Sequence, residues 1–181
     1  MNALYTLAYP TLSRADSDRL EAFRQRHDPH HGIVAAHFTM VFACDAVDEQ
    51  TYVEHVDSIS RASLPVSFSC RFAMLGADDE VERGYVFLVP DEGFSGISRL
   101  HDTLYGGPLR PHLRLDIPFV PHITLGASAD RSVAKRLCDE LNSSRLAVHG
   151  TIDTLSVAAL QGGRIRNLAS FRLGAVGSWR P

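Results

Sequence analysis

The sequence lacks the features that mark membrane-spanning, secreted and metal-binding proteins. No stretch of its 181 residues approaches the roughly 20 apolar residues that a membrane-spanning helix needs, and residues 1–10 contain no basic segment followed by an apolar core. Its three cysteines, Cys44, Cys70 and Cys138, are widely spaced and match no redox or metal-ligand pattern. We therefore expect a cytoplasmic protein whose cysteines are reduced and mostly buried.

The chain also lacks a large excess of charge of either sign. Its 18 lysines and arginines are outnumbered by 21 acidic residues, and the formal net charge is -3. Such a chain has no overall field that would attract long nucleic acids regardless of their sequence, although a small phosphorylated ligand is compatible with it. The length allows one compact domain spanning 1–181, or two small lobes that share an interface, and we expect a monomer.

The first half of the chain predicts the order strand, helix, strand, helix, strand. Proline disfavours helical geometry in the residue before it, so the first helix should end before Asp28-Pro29. Asp48 is a candidate N-cap for the second helix, which Pro65 would end. The predicted elements are a strand at 2–8, a helix at 13–27, a strand at 33–43, a helix between Asp48 and Pro65, and a strand at 66–74.

The second half repeats this order and adds a final strand. Its predicted elements are a strand at 85–89, a helix containing Ile97, Leu100 and Leu104 that ends at Gly106-Gly107, a long loop at 108–118, a strand at 119–126, a helix capped by Asp130, and extended segments at 146–160 and 164–173. The shared order indicates an internal duplication. We therefore expect an α+β fold of two lobes related by approximate twofold symmetry, with antiparallel sheets lining a central groove and helices outside.

Each middle strand contains the same tetrad, histidine-apolar-threonine-apolar. The first is His37-Phe38-Thr39-Met40 and the second is His122-Ile123-Thr124-Leu125. Because side chains alternate along a strand, each histidine shares a face with its threonine while the two apolar residues share the other face. The preceding pairs Ile33-Val34 and Phe119-Val120 favour central, buried strands. Each His-Thr pair should therefore lie on a protected surface.

The triplet His-x-Thr alone is weak evidence, because it also occurs at His101-Asp102-Thr103 and His149-Gly150-Thr151. His101 falls in a predicted helix, where residues two apart do not share a face, and His149 precedes a glycine at the start of an extended segment. Only the two tetrads lie inside predicted apolar strands. Either tetrad alone would favour a core histidine held by local hydrogen bonds, whereas the matched pair favours a shared chemical task.

The paired tetrads resemble those of the 2H phosphoesterase superfamily, which includes bacterial 2′-5′ RNA ligase-like proteins and cyclic nucleotide phosphodiesterases. The resemblance extends to Tyr9-Pro10 followed by a helix, and to the segment 119–126, which is similar to the family's second motif. The first motif departs from the pattern. Ala36 stands where a proline often precedes the histidine, and Phe38 and Met40 replace smaller aliphatic residues.

Two histidines and two threonines suit the cleavage of a phosphodiester. The reaction needs a base for the attacking oxygen and an acid for the departing one, and an imidazole with an ordinary pKa of roughly 6.5 can serve as either near pH 7. The hydroxyls of Thr39 and Thr124 would donate hydrogen bonds to the phosphate oxygens. The resemblance implies that His37 is the acid and His122 the water-activating base, an order that the residues alone leave open.

Other residues are weaker candidates for substrate binding, and each has a purely structural alternative. Aromatic faces can stack on a nucleobase, a role open to Tyr5, Phe119 and Trp179 unless they are core residues. Charged or polar side chains in the loop before the second tetrad can contact a phosphate or base unless they are simply solvated: Arg110, His112 and Arg114. A histidine cluster before the first tetrad would line the groove entrance or lie on the surface: His27, His30 and His31.

The sequence predicts an enzyme without a metal or other cofactor, because no HExxH pattern, carboxylate cluster or Cys/His spacing accompanies the tetrads. A zinc ion between His37 and His122 is the alternative. The favoured function is hydrolysis of a 2′,3′-cyclic or related phosphodiester on a small nucleotide or RNA end. Two other functions are open. They are 2′-5′ RNA ligation, which the negative net charge supports little, and a non-catalytic nucleotide-binding module, which should have lost a motif residue.

Overall fold

The computed structural model describes residues 3–77 and 83–174, which form nine strands, four α-helices and one 3₁₀ helix. The strands are β1 (Leu4–Ala8), β2 (Thr11–Leu12), β3 (Phe38–Cys44), β4 (Val66–Ala77), β5 (Gly84–Glu92), β6 (Ile123–Ser128), β7 (Val148–Ile152), β8 (Thr154–Gln161) and β9 (Arg164–Arg172). The helices are α1 (Arg14–His27), α2 (Glu49–Ala62), α3 (Phe94–Leu104) and α4 (Arg131–Ser143), and a 3₁₀ helix spans Gly107–His112. Among these helices, none is both long and apolar enough to cross a membrane.

Three of the four α-helices begin at a side chain that satisfies a backbone N–H of the first turn. Ser13, Asp48 and Asp130 are the N-caps of α1, α2 and α4, and each side chain accepts a hydrogen bond two or three residues ahead. Helix α3 begins differently, at Gly93 with φ of 83° and no side-chain cap. A Cβ atom there would lie 2.4 Å from the carbonyl oxygen of Ser67, so both backbone angle and space require glycine.

The nine strands form one antiparallel sheet in the order β2-β7-β4-β5-β6-β3-β1-β8-β9. Its two halves, β3-β1-β8-β9 and β6-β5-β4-β7-β2, meet where β3 pairs with β6. That junction is narrow, because its register contains the single residue pair Phe38 and Ile123. The expected α+β architecture is confirmed, with two lobes of antiparallel strands that curl around a groove and helices outside.

The two halves of the sequence exchange their last strands. Strand β4 ends the first half of the chain but pairs with β5 of the second half, whereas β8, from the second half, pairs with β1. Each lobe is therefore built from both halves of the sequence. This exchange explains why the extended segment predicted at 146–160 is broken. β7 pairs with β4 in one lobe, β8 pairs with β1 in the other, and the chain crosses between them at Asp153.

Both motif strands begin later than the apolar pattern predicts. The strand expected at 33–43 starts at Phe38, because the preceding segment forms turns in which His31 donates its backbone N–H to Asp28 and Ile33 donates to His30. The strand expected at 119–126 starts at Ile123, after two prolines whose missing N–H groups cannot join a ladder. The loop expected at 108–118 contains the 3₁₀ helix, and β2 has no counterpart among the predicted elements.

Asn142 of α4 completes the open edge of β4. Strand β4 pairs with β7 only from Val66 to Cys70, which leaves the following residues without a strand on that side. The Asn142 amide takes the place of a neighbouring strand. Its Oδ1 accepts from the Ala73 N–H at 2.7 Å and its Nδ2 donates to the Ala73 carbonyl at 2.8 Å.

We predict that Asn142→Ala lowers the free energy of unfolding by about 1 to 3 kcal/mol, because two net hydrogen bonds of roughly 0.5 to 1.5 kcal/mol each are lost at a partly buried backbone. Urea denaturation monitored by circular dichroism measures the change. Asn142→Asp keeps the acceptor but not the donor and should give an intermediate loss. Equal stability of the alanine variant and the wild type would contradict the role assigned to this side chain.

Candidate active site

The two tetrads meet across the junction of the lobes. Phe38 of β3 is the cross-strand partner of Ile123 of β6. In an antiparallel pair, this register continued by one residue in each direction sets His37 opposite Thr124 and Thr39 opposite His122. The four polar side chains therefore share one face, and all four are half-buried.

The apolar members of the tetrads lie on the opposite face, in the core. Phe38, Met40, Ile123 and Leu125 have no measurable exposed surface. The alternation expected from the sequence is therefore present, although each histidine lies one residue before its strand rather than inside it. The core contacts of these apolar residues fix the backbone from which the polar side chains project.

Each histidine ring is held by a local hydrogen bond of the same kind. His37 Nδ1 lies 2.8 Å from the carbonyl oxygen of Ala35, and His122 Nδ1 lies 2.6 Å from that of Val120. Because a carbonyl oxygen can only accept, Nδ1 must carry the hydrogen in both rings. The second ring nitrogen, Nε2, is then the atom that gains or loses a proton.

The surroundings of both rings favour the neutral form. Burial, with a smaller contribution from the nearby His37, lowers the pKa of His122 to about 4, against the hydrogen bond to Val120. Burial also lowers the pKa of His37, against the hydrogen bond to Ala35. Near pH 7 and without a ligand, both imidazoles are therefore neutral.

Aromatic side chains that the sequence did not single out fix the His122 ring. Phe87 of β5 stacks on it, with centroids 3.6 Å apart and planes at 19°, and the ring of Tyr85 stacks with that of Phe87 with centroids 5.8 Å apart. Phe87 lies opposite Thr124 in the sheet. Gly76 of β4 makes room for this ring, since a Cβ atom at Gly76 would lie 2.2 Å from Phe87 Cε2. Cross-strand pairing brings these residues together, so no sequence pattern could have found them.

Tyr9 lies beside the other histidine. Its ring meets His37 edge-on, with centroids 6.1 Å apart, and its hydroxyl donates to Oδ1 of Asn167 on β9 at 3.1 Å. Burial raises the pKa of Tyr9, so its hydroxyl stays protonated at neutral pH. The family resemblance of the sequence includes the Tyr9-Pro10 pair, whereas no sequence pattern indicated Asn167.

The predicted stacking residues occupy different environments. Leu7 of β1 lies opposite Thr39, and Tyr5, two residues earlier on the same strand, therefore shares the groove face, where it is half-buried. Phe119 stacks on His101 of α3, with centroids 3.6 Å apart and planes at 3°, so protein covers one face of its ring. Trp179 lies outside the described residues.

The predicted loop ligands lie on or just after the 3₁₀ helix. Arg110 is exposed and His112 half-buried. Arg114 forms an ion pair with Asp116, which lowers the pKa of that carboxyl to about 2. A phosphate bound by Arg114 would have to compete with this carboxylate.

The remaining histidines singled out in the sequence have structural partners. His101 is buried in α3 and its Nδ1 contacts the carbonyl of Met40 at 2.9 Å, and His149 Nδ1 lies 2.9 Å from Ser69 Oγ. His27 packs on Phe23, and the side chains of His30 and His31 lie near acidic residues of α1 and its C-cap. Within 3–77 and 83–174, no three His, Cys, Asp or Glu side chains are grouped so as to hold a metal ion.

Comparison with known proteins gives a family for this arrangement. A family model described as the 2′-5′ RNA ligase superfamily matches residues 10–164. A protein of Bacillus cereus (strain G9842) that carries the provisional name of a phosphoesterase is 27% identical over 116 residues, 63% of this chain and less than two thirds (64%) of that protein. A similarly named protein of Bacillus cytotoxicus is 24% identical over 143 residues, 78% of this chain and 80% of that protein.

Solved structures share the fold. The apo structure of LigT from E. coli superposes with a TM-score of 0.58 at 19% identity, covering 95% of this chain and 97% of LigT. The protein TT0787 of Thermus thermophilus gives a TM-score of 0.62 at 18% identity, covering 95% of this chain and 98% of that protein. With a family model that matches most of its length, the chain belongs to the 2′-5′ RNA ligase superfamily of 2H phosphoesterases.

Proposed function

We propose that this protein is a metal-independent phosphodiesterase that hydrolyses a 2′,3′-cyclic or related phosphodiester of a small nucleotide or RNA end. One observation carries the proposal. Two histidines with the same Nδ1 anchor are half-buried on one face of the junction, and the cross-strand register sets a threonine hydroxyl beside each. This geometry supports proton transfer on both sides of one phosphorus atom.

In the proposed reaction, Nε2 of the neutral base histidine accepts a proton from water as its oxygen attacks phosphorus. Nε2 of the protonated acid histidine donates its proton to the departing ribose oxygen, and the P–O bond breaks. The resemblance assigns the acid role to His37 and the base role to His122. Thr39 and Thr124 donate hydrogen bonds to the non-bridging oxygens, whose negative charge increases in the transition state.

The low pKa of both rings suits a site that is completed by its substrate. A bound phosphodiester anion raises the pKa of nearby imidazoles, so that one of them takes up the proton that the acid must deliver. Before binding, two neutral rings avoid the repulsion of two buried cations. We also propose that the protein acts as a monomer and without extended contacts to nucleic acid, in keeping with its net charge of -3.

Ligation is the second candidate, favoured by the name of the family whose model matches. It uses the same two histidines in the same roles, with a ribose hydroxyl of a second RNA end attacking phosphorus in place of water and the same ribose oxygen departing. The assay that separates the two presents 2′,3′-cyclic nucleotides, oligonucleotides with cyclic ends and 2′-5′ linked dimers, with and without a second RNA end. Joined products without hydrolysis would favour ligation, and binding without turnover of any substrate would favour a non-catalytic module.

We predict that His37→Ala and His122→Ala each abolish measurable turnover, because general acid or base catalysis is worth about 10² to 10⁴ in rate. The double variant should be little worse than either single one, since the two residues act as a unit. Thr39→Ala and Thr124→Ala should retain partial activity, because each removes one hydrogen bond. Steady-state kinetics on the cleaved substrate, with circular dichroism to verify folding, test this. A folded His122→Ala protein with near wild-type turnover would refute the mechanism.

The pKa directions predict a bell-shaped kcat/KM profile with its optimum below pH 6.5. The acid must be protonated and the base neutral in the free enzyme, so kcat/KM falls on either side of the mean of two pKa values that are both below 6.5. Exchanging the acid and base roles between His37 and His122 leaves this optimum below pH 6.5. The kcat profile should lie at higher pH, because the bound phosphate raises both pKa values. A kcat/KM optimum above pH 7 would contradict the prediction.

We predict that Gly76→Ala lowers kcat while the protein stays folded. The added methyl group would lie 2.2 Å from Phe87 Cε2, so Phe87 must leave the position in which it stacks on His122. The matched control is Gly32→Ala, since a Cβ atom at Gly32 meets nothing within 4 Å. Turnover should be reduced only in the Gly76 variant, and equal loss in both would show that the Phe87 contact is not responsible.

A further inference from the structure

Arg24 of α1 is a buried cation with a complete set of partners. Its side chain is 2% exposed, and burial of an unpaired guanidinium would be strongly unfavourable. Nε donates to Asp28 at 2.9 Å, Nη1 to both oxygens of Glu21 at 3.0 and 3.1 Å, and Nη2 to the carbonyl of Val34 at 2.8 Å. The carboxylate of Glu21 is thereby held at a fixed place beside the segment that leads to the first tetrad.

Glu21 and His37 bind opposite ends of one peptide unit. The peptide between Ala35 and Ala36 offers its carbonyl to His37 Nδ1 at 2.8 Å, and its N–H donates to Oε1 of Glu21 at 3.0 Å. A carboxylate that accepts from a peptide N–H polarises that peptide and makes its carbonyl a stronger acceptor. A hydrogen-bonded relay of carboxylate, peptide and imidazole therefore runs from Glu21 of α1 to the ring of His37.

The second tetrad has no such relay. The peptide that holds His122 joins Val120 to Pro121, and a proline nitrogen has no hydrogen to donate. The corresponding residue before His37 is Ala36, which has an N–H. The departure of the first motif from its usual proline is thus what allows Glu21 to act on the peptide.

We propose that Glu21 is a positioning residue that acts on His37 through the Ala35–Ala36 peptide, strengthening its Nδ1 hydrogen bond and raising its affinity for a proton relative to His122. A stronger acceptor at Nδ1–H stabilises the imidazolium more than the neutral ring, because the cation is the better donor. This difference in proton affinity between the two histidines assigns the acid role to His37 from contacts within the protein itself. In that respect the inference rests on the proposed function.

Ala36→Pro is the decisive variant, because it removes the peptide N–H and changes no charge. The charged and titratable groups around His37 stay in place: Glu21, Arg24, Asp28, His30, His31, Tyr9 and His122. Proline is compatible with this geometry, since Pro121 occupies the same position before a histidine that makes the same hydrogen bond. Glu21→Gln is the second variant. It keeps an acceptor for the N–H but removes the charge.

The measurement is an NMR titration of the ¹⁵N-labelled full chain without substrate. In Ala36→Pro we expect the Nδ1–H proton of His37 to shift upfield and His37 to titrate at lower pH, while the Nδ1–H proton of His122, as internal reference, keeps its chemical shift. Glu21→Gln should shift the same proton in the same direction. If turnover is measurable, kcat/KM should fall by about tenfold, the lower end of the effect known for outer partners of metal-bound histidines.

The outcomes separate this inference from the proposed function. A folded Ala36→Pro protein with unchanged His37 resonances would overturn the relay, and so would an unchanged Nδ1–H shift in Glu21→Gln if the proline variant does not fold. Equal changes at His37 and His122 would overturn it too, because they would report a general rearrangement. Failure of the wild-type protein to turn over any phosphodiester would instead refute the proposed function and leave the NMR result to decide the relay.

Discussion

The pairing of Phe38 with Ile123 is the contact on which the candidate site depends. It is the single residue pair by which β3 and β6 join the two lobes into one sheet. Both side chains are completely buried, and Phe38 also packs edge-on against Phe68 of the other lobe at 5.1 Å. Because side chains alternate along a strand, burial of these two residues forces the neighbouring histidines and threonines onto the opposite face. Core packing and site geometry are thus set by the same pair.

Repetition explains why the two histidines are so similar. Each lies one residue before a central strand and donates Nδ1–H to the carbonyl two residues earlier. The hydrogen bond is local, so it recurs wherever the same backbone geometry recurs. The exchange of β4 and β8 between the halves of the chain then ties both copies into one sheet. Neither lobe consists of one half of the sequence alone.

The two histidines differ in the side chains and peptide groups that surround them. His122 is covered by the stacked ring of Phe87, for which Gly76 leaves space. His37 meets Tyr9 edge-on and faces the ion-paired end of α1. Apolar contact disfavours the imidazolium, whereas a polarised peptide favours it. A duplicated fold can therefore present two identical side chains with different proton affinities, which favours one assignment of the acid and base roles.

The sequence by itself determined the features that rest on local chemistry. Helix starts at Ser13, Asp48 and Asp130 follow from side chains that cap the first turn. The alternation within each tetrad, and the duplicated order of elements, also needed no knowledge of distant contacts.

Only the tertiary structure decided which elements are neighbours. The break at Asp153 and the exchange of strands depend on pairing between segments far apart in the chain. The same is true of Phe87, Asn167 and Glu21, which no motif marks. Their spacing from the histidines in sequence carries no information, because strand register and helix packing bring them into contact. Local hydrogen bonds can be inferred from adjacent residues, whereas the partners of a buried ring are chosen by the packing of the whole sheet.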